Sequence, residues 1–222
     1  SRIYARNGKI LSRGKAKQRP DIQHLEVHYT CCIDKQLRHL IQDLLSCDQR
    51  TWISFTMHAI NGFSDFYARP PPLEDFENLF VALRHVQILN LNSCPWFRGH
   101  GLDSILKIIP QFDNLQQLRL QGWQMDQVSV DALVRAFTEC TQASTPNKLT
   151  LLSLRSCVFL GDTAFLRCVQ GFLTLTHLRT LNISYCNLYD SQVIQMVQQL
   201  RNHPSLEALH LGGNDCVSSV SV

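Results

Sequence analysis

The chain predicts an α/β solenoid, with a curved parallel sheet on the concave side and helices on the convex side. Three observations carry this. A strand phrase recurs from residue 86 onward, each copy is followed by an apolar stripe with helical spacing, and the copies keep a nearly constant length. The phrases are Val86-x-x-Leu89-x-Leu91-x-x-Cys94, Leu115-x-x-Leu118-x-Leu120-x-x-Trp123, Leu149-x-x-Leu152-x-Leu154-x-x-Cys157, Leu178-x-x-Leu181-x-Ile183-x-x-Cys186 and Leu206-x-x-Leu209-x-Leu211-x-x-Asn214. Their first positions are separated by 29, 34, 29 and 28 residues. A recurrence of this length marks stacked units that cannot bury their apolar faces alone.

Each phrase alternates apolar and polar residues, as a strand with one buried face does. Stacked strands of one direction need a crossover, and a helix supplies it. Helices are about 10 Å wide and paired strands sit about 4.8 Å apart. The helices therefore take the outside of a bend and the strands its hollow side.

The elements follow in order. In residues 1–19, Ile3-Tyr4-Ala5-Arg6 and Lys9-Ile10-Leu11-Ser12 flank Asn7-Gly8, a strong hairpin signal. This segment reads as a basic tail or as a hairpin that shields the first strand edge. Domain assignment gives 20–216 to the repeats, about seven of them with the first two irregular, and 217–222 to a tail. Ile22-x-x-Leu25-x-Val27 and Trp52-x-x-Phe55-x-Met57 are the irregular phrases. Asp34 is placed to cap a helix through Leu37, Leu40, Ile41 and Leu44. Pro70-Pro71-Pro72 forces a loop, and helical spacing resumes through Phe76, Leu79, Phe80 and Leu83.

Four further helices are expected. Their stripes are Leu102, Ile105, Leu106 and Ile109, stopped by Pro110; Val130, Leu133, Val134 and Phe137; Ala164, Phe165, Val169 and Phe172, capped by Asp162; and Val193, Val197 and Leu200, capped by Asp190 with Pro204 beyond. Residues 141–147 read as a surface loop that accounts for the one 34-residue spacing. After Gly212-Gly213-Asn214 no helix follows. Val217, Val220 and Val222 are too few to make a capping unit. The chain is expected to continue as a longer solenoid, or its last edge to meet another chain.

The phrase resembles the leucine-rich repeat, and its length is most similar to the ribonuclease-inhibitor-like class. The resemblance covers residues 86–214 well and 20–85 weakly. It implies protein binding on the concave face or rim, without enzymatic activity. Members of the wider family also act as ubiquitin-ligase substrate receptors and GTPase regulators, and a regulatory role of that kind is the alternative.

Composition narrows the function. Residues 1–19 hold seven basic residues and no acid, whereas the rest holds 14 basic against 18 acidic residues. A basic arm of this kind can contact phosphates, but a single aromatic, Tyr4, gives little base stacking, so nucleic acid is the least favoured partner. Nine cysteines form no paired framework, and Cys94, Cys157 and Cys186 share one repeat position, where a small soft side chain packs under the turn. This points to an intracellular protein, cytoplasmic or nuclear. No apolar run approaches the ~18 residues a membrane span needs. His24, His28 and Cys31-Cys32 lack the paired spacing of a zinc site, and Gly212-Gly213 lacks the context of a phosphate loop. No cofactor, metal or catalytic residue is expected.

The candidate partner-binding residues are the outward strand positions and their neighbours: His28, His58, Asn90, Asn92, Arg119, Gln121, Trp123, Ser153, Arg155, Asn182, Ser184, Tyr185 and His210. Most are polar and uncharged. Arg119 and Arg155 stand near the centre with aromatics beside them, a pairing that suits an acidic protein partner because Arg and aromatic residues dominate interface energetics.

Overall fold

The computed structural model describes residues 2–6, 9–10, 24–29, 42, 53–59, 73–92, 105–142 and 148–214. Its strands are β1 (Arg2–Arg6), β2 (Lys9–Ile10), β3 (His24–Tyr29), β4 (Ser54–Ala59), β5 (Ile88–Asn92), β6 (Gln117–Gln121), β7 (Gln124–Met125), β8 (Leu151–Ser153), β9 (Val158–Phe159), β10 (Thr180–Asn182) and β11 (Ala208–His210). Its helices are α1 (Leu73–Ala82), α2 (Gln127–Gln142), α3 (Asp162–Thr174) and α4 (Asp190–Leu200). A shorter helical run at 105–108 continues as the tight turn Ile109–Gln111.

Nine strands form one sheet in the order β11-β10-β8-β6-β5-β4-β3-β1-β2. From β3 to β11 its strands follow chain order, and each pairs in parallel with the next. β1 also joins β3 in parallel, and β2 folds back antiparallel on β1. Asn7-Gly8, between β1 and β2, lies outside the described residues.

The register aligns equivalent phrase positions. Phe55, Leu89, Leu118, Leu152, Leu181 and Leu209 face each other across successive strands. All but Leu209 are 0% exposed. The helix stripes meet this row from above. Leu79, Phe80, Val130, Leu133, Phe137, Phe165, Val169, Phe172 and Val193 join the same continuous core. Burying each such side chain contributes about 1.5–3 kcal/mol. α2 packs on α3 and α3 on α4. The first of these contacts is close: a Cβ on Gly171 would come within 2.8 Å of Val134 Cγ2.

Several expectations are corrected in detail. Pro110 does not stop the helical run outright. It sits at the start of the tight turn Ile109–Gln111, where a missing N–H costs nothing. Asp162 and Asp190 are not N-caps. Gly161, at φ 103°, and Tyr189 precede the helices, so each Asp is the first helical residue and lies in the first turn. There its charge still complements the N-terminal end of the helix dipole. Val197 is not a core residue: it is 43% exposed, and Met196 is buried instead. Thr141 begins no loop, because α2 runs through Gln142. Of the expected helix through Leu37 to Leu44 only residue 42 is described, and it is helical; Cys94, Leu102, residues 143–147 and the tail from 215 lie outside the described residues. The short ladder β7·β9 was not anticipated.

Candidate functional site

The helices cover one face of the sheet, and the outward positions of the strands remain on the other. Thr56, Asn90, Arg119, Ser153, Asn182 and His210 stand in one register row. His28, His58, Asn92 and Gln121 form the next. Nine of the thirteen candidates thus map to this face by register, and Arg155 and Ser184 follow it by two residues. Side-chain bonds tie the strands together along the row. Asn90 Nδ2 donates to Thr56 Oγ1 at 3.0 Å, and Arg119 Nη2 donates to Gln117 Oε1 at 3.0 Å. At the far margin His24 Nδ1 lies 2.6 Å from Ser54 Oγ.

Asn90 and Arg119 are direct register partners. Asn90 Oδ1 and Arg119 Nε are both buried without a hydrogen-bond partner. Leaving such groups unmatched costs roughly 1–3 kcal/mol each. The centre of this face is therefore not fully satisfied within the chain.

One end of the face is built around Tyr185. Its backbone has φ 60°, and the residue is 54% exposed. Arg155 Cζ lies 4.6 Å from the ring centroid, a cation–π contact worth about 0.5–1 kcal/mol at an exposed position. Gly213 also lies against this ring, where any Cβ would collide with the aromatic carbons. Tyr185 thus contacts residues that follow the strands on both sides of its own, Arg155 after β8 and Gly213 after β11. Val158, Leu160 and Tyr189, exposed at 47%, 50% and 53%, follow the same phrases at their exits. Sequence reasoning missed Gln117 and these three. Strand alternation alone would have placed Gln117 on the face.

Three candidates are not surface groups. Trp123 is 4% exposed, Ser153 4% and Ser184 7%. The Trp123 ring turns inward because its Nε1 donates to the Leu91 carbonyl at 2.9 Å. That bond belongs to a ladder. Cys157 Sγ donates to the Leu120 carbonyl at 3.1 Å, and Cys186 Sγ donates to that of Leu154 at 3.1 Å. Asn214 Nδ2 donates to Ile183 at 3.1 Å and to Leu211 at 2.7 Å. In every case the last position of a phrase binds the sixth position of the phrase before it. The role is that of a hydrogen-bond donor as well as a packing group. Burial is the main cause that pushes the Cys157 and Cys168 thiols well up and that of Cys186 up to about 11. Protonated thiols can donate, so the titration and the ladder agree. The residue before each of these donors is left-handed: Gly122 at φ 71°, Ser156 at 58°, Tyr185 at 60° and Gly213 at 72°.

Among the described residues no group of three or more His, Cys, Asp or Glu side chains is placed to hold a metal. None of their helices is long and apolar enough to cross a membrane.

A family model described as Leucine Rich repeat matches residues 174–191. This stretch holds β10 and its exit turn, so the chain carries a leucine-rich repeat there, in register with its neighbours. No curated protein matches the sequence. Among solved structures, the crystal structure of a TLR13–ssRNA13 complex is similar at 15% identity and a TM-score of 0.39, over 88% of this chain and 30% of that one. The yeast Rad7 and Elc1 complex is similar at 14% identity and a TM-score of 0.28, over 91% of this chain and 72% of that one. The chain thus spans about a third of the length of the first.

Proposed function

We propose that the chain is a non-enzymatic protein-interaction module. In this reading it is a leucine-rich-repeat solenoid of the ribonuclease-inhibitor-like class, bent by the width of its helices, which holds a protein partner against the open sheet face. The observation that carries the proposal is the one-sided covering of the sheet. One face is sealed by helices, and the other keeps a polar row with Arg119 at its centre and the Arg155–Tyr185 stack at its end. A face that a helix layer leaves open, with an incompletely satisfied centre, is suited to a partner that supplies the missing polar atoms. Guanidinium groups favour carboxylates, because their fork geometry matches two oxygens, so the partner's contact surface is acidic. An intracellular setting fits the buried thiols of Cys157, Cys168 and Cys186.

The test is the double variant Arg119→Glu, Arg155→Glu. Capture of specific proteins from lysate is expected to be lost while the circular dichroism spectrum stays unchanged. Undiminished capture of the same proteins would remove the sheet face from the reading.

A further inference from the structure

Two neighbouring strand exits carry apolar side chains that the fold leaves uncovered. After β8, Phe159 turns inward, where its ring meets Phe165 edge-on at 5.2 Å. Val158 and Leu160, on either side of it, therefore face out, and each is about half exposed. After β10, Tyr185 and Tyr189 are exposed to a similar extent. At the exit of β6 the corresponding positions are Gln124 and Asp126, with Gln124 opposite Val158 in register. The apolar character is thus not a demand of the repeat. Contacts between the repeats bring the two exits together. The Tyr189 N–H donates to Gln192 Oε1 at 3.0 Å, and Gln192 Nε2 donates to Asp162 Oδ1 at 2.8 Å. Asp162 is two residues beyond Leu160, so the buried Gln192 holds the exits side by side. Their geometry is fixed. Ser156 and Tyr185 are left-handed at φ 58° and 60°, and their N–H groups donate to the Ser184 and Gly212 carbonyls at 2.9 Å each. A left-handed residue other than glycine persists only where its surroundings hold it.

We infer that this rim docks a peptide segment of a partner protein, one that carries an acidic side chain beside aliphatic or aromatic ones. The inference rests on the reading of the chain as a protein-binding module, and it adds a second contact zone beside the open sheet face. Contiguous exposed apolar side chains with a polar border mark interaction sites. Charge selects the occupant. Arg155, stacked on Tyr185, is in no ion pair among the described residues. It stands on the sheet-face side of the patch, where its guanidinium is free to take a carboxylate. The helix side of the patch is acidic: Asp126, Asp162 and Asp190 stand at the starts of α2, α3 and α4. Three carboxylates against one guanidinium disfavour the phosphates of an anionic membrane or of nucleic acid. A peptide meets both borders, because it can place its acid at Arg155 alone and lay apolar side chains over Leu160 and Tyr189.

A phage-displayed library of random dodecapeptides tests this on the full chain. Selection on the natural sequence is expected to enrich Asp or Glu next to Leu, Ile or Phe. Selection on Arg155→Glu is expected to enrich Lys or Arg in place of the acid. For a fluorescein-labelled peptide selected on the natural chain, the rim variant Leu160→Ser, Tyr189→Ser is expected to bind at least tenfold more weakly, with an unchanged circular dichroism melt. No enrichment, or equal affinity in the rim variant, would overturn the inference. If Arg119→Glu abolished peptide binding and the rim variant did not, the sheet face would stand as the binding surface and the rim would fall. Binding to phosphatidylcholine–phosphatidylserine vesicles, or a dimer in light scattering, would also overturn it if the rim variant abolished either, because the patch would then serve a membrane or a second copy.

Discussion

Asn214 does for its layer what Trp123, Cys157 and Cys186 do for theirs, and it does more. Its Oδ1 accepts from the backbone N–H groups of Cys186 and Leu188 at 2.8 and 3.2 Å while its Nδ2 donates to two carbonyls. Asn214→Leu strands all four groups, at roughly 1–3 kcal/mol for each that water does not reach. Cys186→Val keeps the volume and removes one donor from the Leu154 carbonyl, which still accepts from the Cys157 N–H at 3.1 Å, so its loss is expected to be the smaller. Urea midpoints of the two variants give the order. The thiols make a second prediction. Cys186 titrates near 11 when folded, above its usual value of 9. A raised folded value means that its contribution to stability is complete below pH 9 and fades as pH rises toward 11. At pH 8 the native Cys157, Cys168 and Cys186 should resist alkylation that labels them rapidly in urea. Rapid native labelling would show that the ladder opens.

At the scale of the element, α2 starts where a carboxylate meets its first turn. Asp126 Oδ1 accepts the Ser129 backbone N–H at 2.8 Å. Hydrogen bonds from Ser129, its side chain first and then its backbone, hold the carboxyl below the usual carboxylate range. A lowered folded value means that this stabilisation is present above about pH 4 and is lost as pH falls through the folded value. Asp126→Ala is expected to cost about 1 kcal/mol at neutral pH, and the gap should narrow in acid. α4 uses another device: Gln192 Oε1 accepts the Tyr189 N–H at 3.0 Å, and its Nε2 donates to Asp162 of α3 at 2.8 Å. Between α2 and α3, Gly171→Ala drives a methyl into Val134. Overpacking of about 1–3 kcal/mol then exceeds the roughly 1 kcal/mol that alanine adds to a helix. A net loss of thermal stability is the expected result, checked by melting.

Across the whole molecule the layers are not equivalent. Leu181 is 0% exposed between two strands, whereas Leu209 of β11 is only partly buried. Leu181→Ala should cost 2–5 kcal/mol, the usual range for a buried leucine, and Leu209→Ala distinctly less. Equal losses in denaturant titrations would mean that the last layer is as closed as the inner ones. The same unevenness shows how far the sequence was legible. The strand phrases and the stripes Val130–Phe137 and Ala164–Phe172 were readable because their apolar spacing is set by local geometry, a period of two or of 3.6. Val197 had the right spacing and still lies exposed, since spacing says which side of a helix is apolar and not whether another layer covers it. Of the candidate face, the outward alternation was legible, and the inward turn of Trp123 was not.

The sequence by itself determined the order of strand and helix, the register that aligns one leucine above another, and which strand positions leave the core. Each follows from a period repeated at fixed length. Only the tertiary structure decided what crosses between repeats: the carbonyls that take up Trp123, the thiols and Asn214, the stacking of Arg155 on Tyr185, and the partial burial of Leu209 in β11. Those depend on atoms about thirty residues apart in the chain and about one strand spacing apart in space, a nearness that no local pattern contains.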